Sequence, residues 1–355
     1  MRSRRIVLAA GFAAALALRL AFLARFPGNY DLESFAGAAA ILRRGGDIYL
    51  ETSRYNYSPV WAHVLAGLAG LGEKLGVTLG ATLGSLLLAV DAATALVVRR
   101  LAGGGARGAA AALLFFANPV SIFCSSFHLQ FDNLAIFFLL LALAAASKNP
   151  PARAGTVAAL SASLLVKHVT AFFPPLFLAR RGRRGLTPVE ALVPYAAFAA
   201  AFLPYWRSWA GIRRNVVDYR GLAEDYGVAM LAKIPGAPAW LPTAVFAAAI
   251  AAALVLLRRL DPPRAALLLF LVMLLTIPGV CEYYFVWPVA LGAVFGGAGY
   301  AVYTVVVTAF FLGSPDGLNR PIPHLPGWHG IWWSVLLWLA WEARRITKPP
   351  RTSPA

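Results

Sequence analysis

Residues 29–61 read NYDLESFAGAAAILRRGGDIYLETSRYNYSPVW, a polar and aromatic-rich stretch between two apolar segments. The stretch holds four of the chain's 15 acidic residues, namely Asp31, Glu33, Asp47 and Glu51. Most of the sequence that follows is apolar and interrupted by short polar turns. We therefore expect a set of hydrophobic helices that holds this stretch as a loop over a cavity.

The composition indicates that those helices lie in a lipid bilayer. The 355 residues are 60% hydrophobic and only 13% charged, with a mean hydropathy of +0.68. Soluble domains carry about a quarter of charged residues, and apolar runs here recur near the length that crosses about 30 Å of hydrocarbon. The first run, residues 6–26, follows basic residues, and no A-x-A cleavage site lies between it and Asp31. We expect a retained first span.

The net charge of +17 raises the question of nucleic-acid binding. The positions of the basic residues argue against it, because Arg and Lys cluster between apolar runs, as in the cytoplasmic loops of membrane proteins. The two cysteines lack the spacing of a zinc site. The basic clusters lie at residues 2–5, 99–107, 148–153, 180–184, 258–264 and 344–351.

Placing every basic cluster on the cytoplasmic side requires an even number of crossings. We predict an all-α, polytopic integral membrane protein, one domain over residues 1–355, with about 12 transmembrane helices and both termini cytoplasmic. The first outer loop spans residues 27–75, with a short interfacial or re-entrant helix at 58–75, and the second large outer loop spans 206–240. The predicted crossings are 6–26, 77–98, 108–124, 131–147, 154–166, 168–180, 188–205, 241–257, 264–281, 284–298, 299–312 and 330–343.

Three polar motifs would then share the outer side. The first is the acid pair Asp31 and Glu33, followed by the aromatic run Tyr55-Asn56-Tyr57-Ser58-Pro59. A solvated loop would explain two surface carboxylates, but it seldom carries tyrosines and a proline in so short a run. We therefore take Asp31 and Glu33 as catalytic candidates, and Tyr55 and Tyr57 as candidates for contact with a sugar or acceptor.

The second motif is SFHLQFDN at residues 126–133. A lone histidine near the end of a span is usually a structural hydrogen-bonding group. Here four polar side chains lie within six residues of a hydrophobic boundary, where each must be desolvated or face a polar cavity. The candidates for sugar or acceptor binding are His128, Gln130, Asp132 and Asn133.

The third motif places Lys167 inside an apolar run, which costs about 3 kcal/mol at mid-bilayer unless the charge is paired or snorkels to the interface. Snorkelling remains one interpretation, and contact with an anionic phosphate is the other. In the second large outer loop, Arg220 is the second phosphate candidate, because guanidinium binds phosphate through two hydrogen bonds. Glu282 and Tyr283 open a later span and complete the outer polar set.

These motifs resemble the GT-C superfamily of glycosyltransferases that use polyprenyl-phosphate sugars. The stretch from Asp31 through Tyr55-Asn56-Tyr57-Ser58-Pro59 is similar to the mannosyltransferase that begins glycosylphosphatidylinositol assembly, with Glu33 in place of the second Asp of a D-x-D motif. Residues 126–133 resemble elements of dolichyl-phosphate-hexose glycosyltransferases and of prokaryotic GT-C proteins. Residues 282–288 resemble a further aromatic element of the superfamily.

The resemblance implies a GT-C-like bundle that moves a hexose, with mannose favoured, from a polyprenyl or dolichyl phosphate to a glycan or lipid-linked acceptor. Asp31 would act as general base, and Lys167 and Arg220 would stabilise the departing phosphate. A single displacement would invert the anomeric carbon. We predict no cofactor, no bound metal and no nucleic-acid partner; a divalent metal between the carboxylates is an alternative that we do not favour.

Two other classes fit a polytopic protein. A transporter or lipid flippase would use intramembrane ionisable residues such as Arg19, Asp91 and Lys167, although the sequence lacks the internal repeats typical of that class. A structural subunit would not need the outer polar set. The bias of 27 Arg to 5 Lys favours the plasma membrane of a prokaryote, with an archaeon preferred, and an active site on the outer face.

Overall fold

The computed structural model describes residues 2–25, 28–178, 185–219, 226–313 and 327–347. All named elements among these residues are helical, which confirms the all-α class. The α-helices are α1 (Arg2–Arg25), α2 (Tyr30–Arg43), α3 (Ile48–Glu51), α4 (Pro59–Leu75), α5 (Leu79–Leu101), α6 (Gly105–Phe116), α7 (Pro119–Ile122), α8 (Asp132–Ala146), α9 (Arg153–Val166), α10 (Pro188–Ala201), α11 (Trp209–Ile212), α12 (Leu241–Leu257), α13 (Pro262–Thr276), α14 (Val289–Phe295), α15 (Ala298–Gly313) and α16 (Trp328–Thr347).

The lengths of these helices support a membrane protein. Two stretches, Ser3–Arg25 and Leu79–Leu101, are long and apolar enough to cross a bilayer. Two bent pairs, Gly105–Phe116 with Pro119–Phe127 and Pro188–Ala201 with Leu203–Val217, bring the count to four if each pair is one span. Twelve crossings therefore remain a prediction.

Local sequence signals explain where several elements begin and end. Helix α4 starts at Pro59, after Ser58, whose side chain accepts a hydrogen bond from the Val60 N–H. It ends at Leu75 and is followed by Gly76, which has a φ of +67°. Proline in the first turn and a left-handed glycine after the last turn are the usual helix limits. The helix predicted at residues 58–75 therefore has the predicted bounds.

Several predicted spans differ from the structure, including 188–205, which bends after Ala201, and 284–298, which divides into a 3-10 turn and the short helix α14. Residues 168–178 of the predicted span 168–180 form two short 3-10 turns, His168–Phe172 and Pro174–Phe177, because Pro174 and Pro175 lack the N–H groups that a continuous helix needs. The span predicted at 108–124 breaks before Pro119 and bends by 48°. Its second half continues as a π-helix over Phe123–Phe127.

The chain forms two compact units, Met1–Arg220 and Gly221–Ala355. In the first unit, aromatic side chains from the first loop pack under the polar residues: Trp61 stacks on Phe131 with ring centroids 4.1 Å apart, and Phe35 contacts both rings. In the second unit, Trp338 of α16 is buried against Tyr303 of α15. Each unit thus has its own core.

Candidate functional site

Asp31 lies in the first turn of α2, where the sequence predicted the catalytic acid. Asn29 caps this helix by accepting a hydrogen bond from the Leu32 N–H at 2.8 Å, and its own amide donates to the His128 carbonyl at 3.0 Å. The amide of Gln130 donates to the Asp31 carboxylate. Two parts of the chain that are 99 residues apart are therefore joined at Asp31, which is half-buried.

The carboxylate fixes the orientation of the Gln130 amide, because an ionised carboxylate only accepts hydrogen bonds. Gln130 itself is fully buried. It follows Leu129, whose φ of +54° is uncommon for a residue with a β-carbon. The Leu129 side chain fits beside Gly84, where an added β-carbon would lie 3.3 Å from Leu129 Cδ2 and 2.6 Å from Leu23 Cδ2. A tight turn thus aims Gln130 at Asp31.

Asp132, two residues after Gln130, forms an ion pair with Lys167. Lys167 Nζ lies 2.6 Å from Asp132 Oδ2, and the two side chains are 3% and 0% exposed. The ammonium also lies 5.4 Å from the centre of the Tyr57 ring and 5.1 Å from that of Phe131. Lys167 is therefore buried and paired, which argues against the snorkelling interpretation.

The two acids of the first motif have different environments. Glu33 has a side chain that is 71% exposed, and it lies 3.3 Å from an Arg54 nitrogen. Arg54 in turn stacks over the Tyr30 ring at 3.8 Å and donates to the Ser34 hydroxyl. Asp31 accepts a hydrogen bond from Gln130 of the 126–133 motif, whereas Glu33 pairs with Arg54, so the two carboxylates have different partners.

Three of the predicted sugar-contacting side chains have packing partners. Tyr55 is buried, and its hydroxyl donates to the Ser58 carbonyl at 2.7 Å. Tyr57 is 5% exposed and lies beneath the Lys167 ammonium. Asn133 is 2% exposed, and its amide donates to Asp91 at 2.7 Å. These positions favour supporting roles for Tyr55 and Asn133 over direct contact with a sugar.

Four sequence-predicted candidates remain, namely His128, Arg220, Glu282 and Tyr283. Glu282 and Tyr283 belong to the second unit, on a 3-10 turn where Tyr284 stacks on Trp287 with ring centroids 4.3 Å apart. Arg220 lies outside the described residues. His128 is half-buried at the end of the π-helix, beside the rings of Phe123 and Phe127.

A second buried ion pair supports this site, a role that the sequence analysis did not assign to it. Arg19 and Asp91 form a salt bridge with both side chains 0% exposed. Asp91 also accepts hydrogen bonds from Ser125 and from Asn133, so the pair holds the N-terminus of α8 and the π-helix. The signal in the sequence was an ionisable residue in each of two apolar helices. Arg19 also donates to the Phe116 carbonyl and to the hydroxyls of Ser121, Ser125 and Ser126.

No group of three or more His, Cys, Asp or Glu side chains that could hold a metal occurs among the described residues. The described site instead combines an oriented carboxylate, a buried cation paired with a second carboxylate, and aromatic walls. This arrangement can accept a proton at Asp31 and place positive charge nearby.

The comparison with protein families identifies the class of reaction. The sequence model of glycosyltransferase family 87 matches residues 55–281, more than half of the chain. The chain belongs to glycosyltransferase family 87. Searches of curated proteins and of solved structures gave no significant match.

Membership of family 87 confirms the broader part of the resemblance, a GT-C-like membrane glycosyltransferase. It weighs against the transporter or flippase and the structural subunit. Two ionisable residues assigned to a transport pathway, Arg19 and Asp91, are bonded to each other. As a transferase, the protein uses a sugar donor and an acceptor.

Proposed function

We propose that this family-87 protein transfers a hexose, with mannose favoured, from a polyprenyl or dolichyl phosphate to a glycan or lipid-linked acceptor. The observation that carries the proposal is the half-buried Asp31 carboxylate, which accepts a hydrogen bond from Gln130. Two residues after Gln130, Asp132 forms a buried ion pair with Lys167. A lipid-linked donor suits this setting, because its tail stays in the bilayer while its phosphate and sugar reach the polar residues.

The proposed reaction is one displacement at the anomeric carbon. Asp31 accepts the proton of the acceptor hydroxyl as that oxygen forms its bond to the anomeric carbon. The bond between this carbon and the phosphate oxygen breaks, and its electron pair stays on the departing polyprenyl phosphate. A β-linked donor therefore gives an α-linked product.

Asp31 is a better candidate base than Glu33. A base must be held within reach of the proton that it removes, and Gln130 orients Asp31 while most of the Glu33 side chain is exposed. Both carboxylates lie in the first turn of α2, so the helix dipole does not distinguish them. Glu33, with Arg54, would border the site.

Positive charge is needed where the phosphate departs. Lys167 is the proposed source, with Asp132 holding its ammonium in place beside Tyr57. Arg220 remains the second proposed phosphate ligand on sequence grounds. His128 and Tyr57 are proposed to contact the sugar or acceptor, and Glu282 and Tyr283 keep the role in sugar or acceptor binding assigned from the sequence.

The proposed location is the plasma membrane of a prokaryote, with an archaeon favoured. We place the site on the outer face and both termini in the cytoplasm, and we keep twelve crossings as the working topology. The basic clusters between apolar runs support this arrangement. Impermeant labelling of cysteines introduced at the exposed positions 100 and 53 tests it, and labelling of both from one side would contradict it.

The test of function is release of polyprenyl phosphate. Purified protein in lipid nanodiscs would receive a polyprenyl-phosphate hexose and a lipid-linked acceptor, and mass spectrometry would follow both products. We expect coupled formation of polyprenyl phosphate and an extended acceptor, with Asp31→Asn as the matched inactive control. Sugar transfer from a nucleotide sugar without polyprenyl phosphate release would contradict the proposed donor.

A further inference from the structure

The segment Leu203–Val217 follows the apolar helix α10 and bends by 58° away from it. It consists of a 3-10 turn, the short helix α11 and a π-helix. Buried side chains recur at every third or fourth position, so the segment has one face against the protein and one face turned outward. The buried positions are Tyr205, Ser208, Gly211, Ile212, Asn215 and Val216.

The buried face is bonded to the first loop. The Ser208 hydroxyl donates to Asp47 Oδ2 at 2.5 Å, and the Asn215 amide donates to the Thr52 carbonyl at 2.9 Å. A β-carbon at Gly211 would lie 2.0 Å from the Tyr49 carbonyl oxygen, so the two backbones touch. The segment therefore moves with the loop that carries the site.

The outward face combines large apolar side chains with positive charge. Trp206 is 66% exposed and Trp209 is 59% exposed. Leu203 and Val217, at the two ends of the segment, are 65% and 61% exposed. Exposed apolar side chains grouped on one face mark an interaction surface. Three exposed cations lie among them: Arg207, Arg213 and Arg214.

We propose that this outward face lies in the headgroup region of the leaflet into which α10 emerges, with the arginines against lipid phosphates. Tryptophan concentrates at membrane interfaces because its ring is apolar and its N–H is polar. Guanidinium binds phosphate strongly, and its stem can lie along apolar surface. Arg207 already lies over the Trp206 ring at 5.6 Å, which joins the two chemistries on one surface.

The charges exclude a deeper position. An arginine at the centre of a bilayer is costly, and three of them share this exposed face. A wholly aqueous position would leave both tryptophans, a leucine and a valine in water. The headgroup region satisfies both sets of side chains, and the 58° bend turns the chain from crossing the bilayer to lying along it.

The surface would set the height of the first loop above the bilayer. Asp47 and Thr52 receive hydrogen bonds from the buried face of the segment, and the same loop continues to Tyr57 beneath Lys167. A lipid-bound segment thus fixes the height of that loop above the lipid phosphates, on the aqueous side of the segment. The placement in the membrane does not depend on which donor or acceptor the enzyme uses.

Depth-dependent quenching tests the proposal. Ala210→Cys and Val217→Cys introduce labelling sites on the outward face and leave both tryptophans in place, while Cys124 and Cys281 are buried. A bimane label would be measured in phosphatidylcholine nanodiscs that carry a nitroxide at the headgroup, at acyl carbon 5 or at acyl carbon 12. Ser53→Cys, next to the Thr52 carbonyl on the protein side of the segment, is the matched control.

We expect both outward labels to be quenched at least twofold more by the headgroup and carbon-5 nitroxides than by the carbon-12 nitroxide. The Ser53 label should be quenched less than half as much, and Trp206→Ala/Trp209→Ala should reduce quenching at position 210. Strongest quenching by carbon 12 would show a re-entrant segment and overturn the proposal. Quenching by aqueous iodide alone would also overturn it, because the face would then meet water or another protein.

Discussion

Two buried ion pairs of the first unit meet adjacent residues at the start of α8 but differ in their surroundings. Both cations lie over aromatic rings, Arg19 over Phe116 and Lys167 over Tyr57 and Phe131, but Arg19 also donates to several hydroxyls and a backbone carbonyl. Asp132 serves one pair, and its neighbour Asn133 serves the other.

The difference separates a structural pair from a candidate functional one. Desolvating two charges is costly, and the cost is offset only when the remaining donors and acceptors are satisfied. The polar groups around Arg19 and Asp91 meet that condition and connect α1, α5 and the π-helix. Lys167 instead holds its charge next to the turn that orients Asp31, where a phosphate would benefit from it.

The largest expected effect is on folding. Arg19→Gln leaves Asp91 buried without its cation, so we expect a loss of about 3–5 kcal/mol in stability, seen as a lower melting temperature and poor yield. Arg43→Gln, in the exposed Arg43–Glu73 pair, is the control and should leave the melting temperature nearly unchanged, because exposed ion pairs contribute little. Equal melting temperatures for the two variants would show that the first pair is not structural.

The next effect is on chemistry alone. Asp31→Asn keeps the shape of the side chain and removes the proton acceptor, so transfer should fall about a hundredfold or more while folding is retained. Turnover and melting temperature of the same preparation measure both. Glu33→Gln should have a smaller effect because that side chain is mostly exposed. Full activity of Asp31→Asn with an inactive Glu33→Gln would reverse the assignment.

Neutralising both members of each pair compares them directly. Arg19→Gln/Asp91→Asn and Lys167→Gln/Asp132→Asn both remove a buried charge pair without leaving one ion alone. We expect both double variants to fold. Only Lys167→Gln/Asp132→Asn should lose transfer activity, by about tenfold to a hundredfold, because a charged hydrogen bond contributes about 1.5–3 kcal/mol. Titration of the lipid donor should locate that loss. Equal losses for the two double variants would contradict the distinction.

The smallest expected effect concerns the residue that orients the base. Gln130→Leu removes the donor to Asp31, and we expect a roughly tenfold lower kcat, in keeping with loss of one charged hydrogen bond. The KM for the lipid donor should stay within about twofold of that of the parent, because the Asp132–Lys167 pair is retained. Gln130→Glu keeps the shape of the side chain and places a second negative charge beside Asp31, so its kcat should be lower than that of Gln130→Leu. A change confined to KM would assign Gln130 to substrate binding.

Sequence reasoning identified the residues of the site better than their partners. Asp31, Gln130, Asp132 and Lys167 were all expected near one another, because polar side chains beside apolar runs need a polar cavity. The turn at Leu129, which aims Gln130 at Asp31, depends on the glycine at position 84 and could not be derived from local sequence.

The sequence by itself determined the all-α class, the membrane setting and the acidic first loop, since composition and charge spacing report directly on burial in lipid. Only the tertiary structure decided which charges pair. Arg19 and Asp91 are 72 residues apart, and Lys167 and Asp132 are 35 apart. Such contacts depend on how helices pack in three dimensions, and a buried charge takes whichever partner the packing brings within reach.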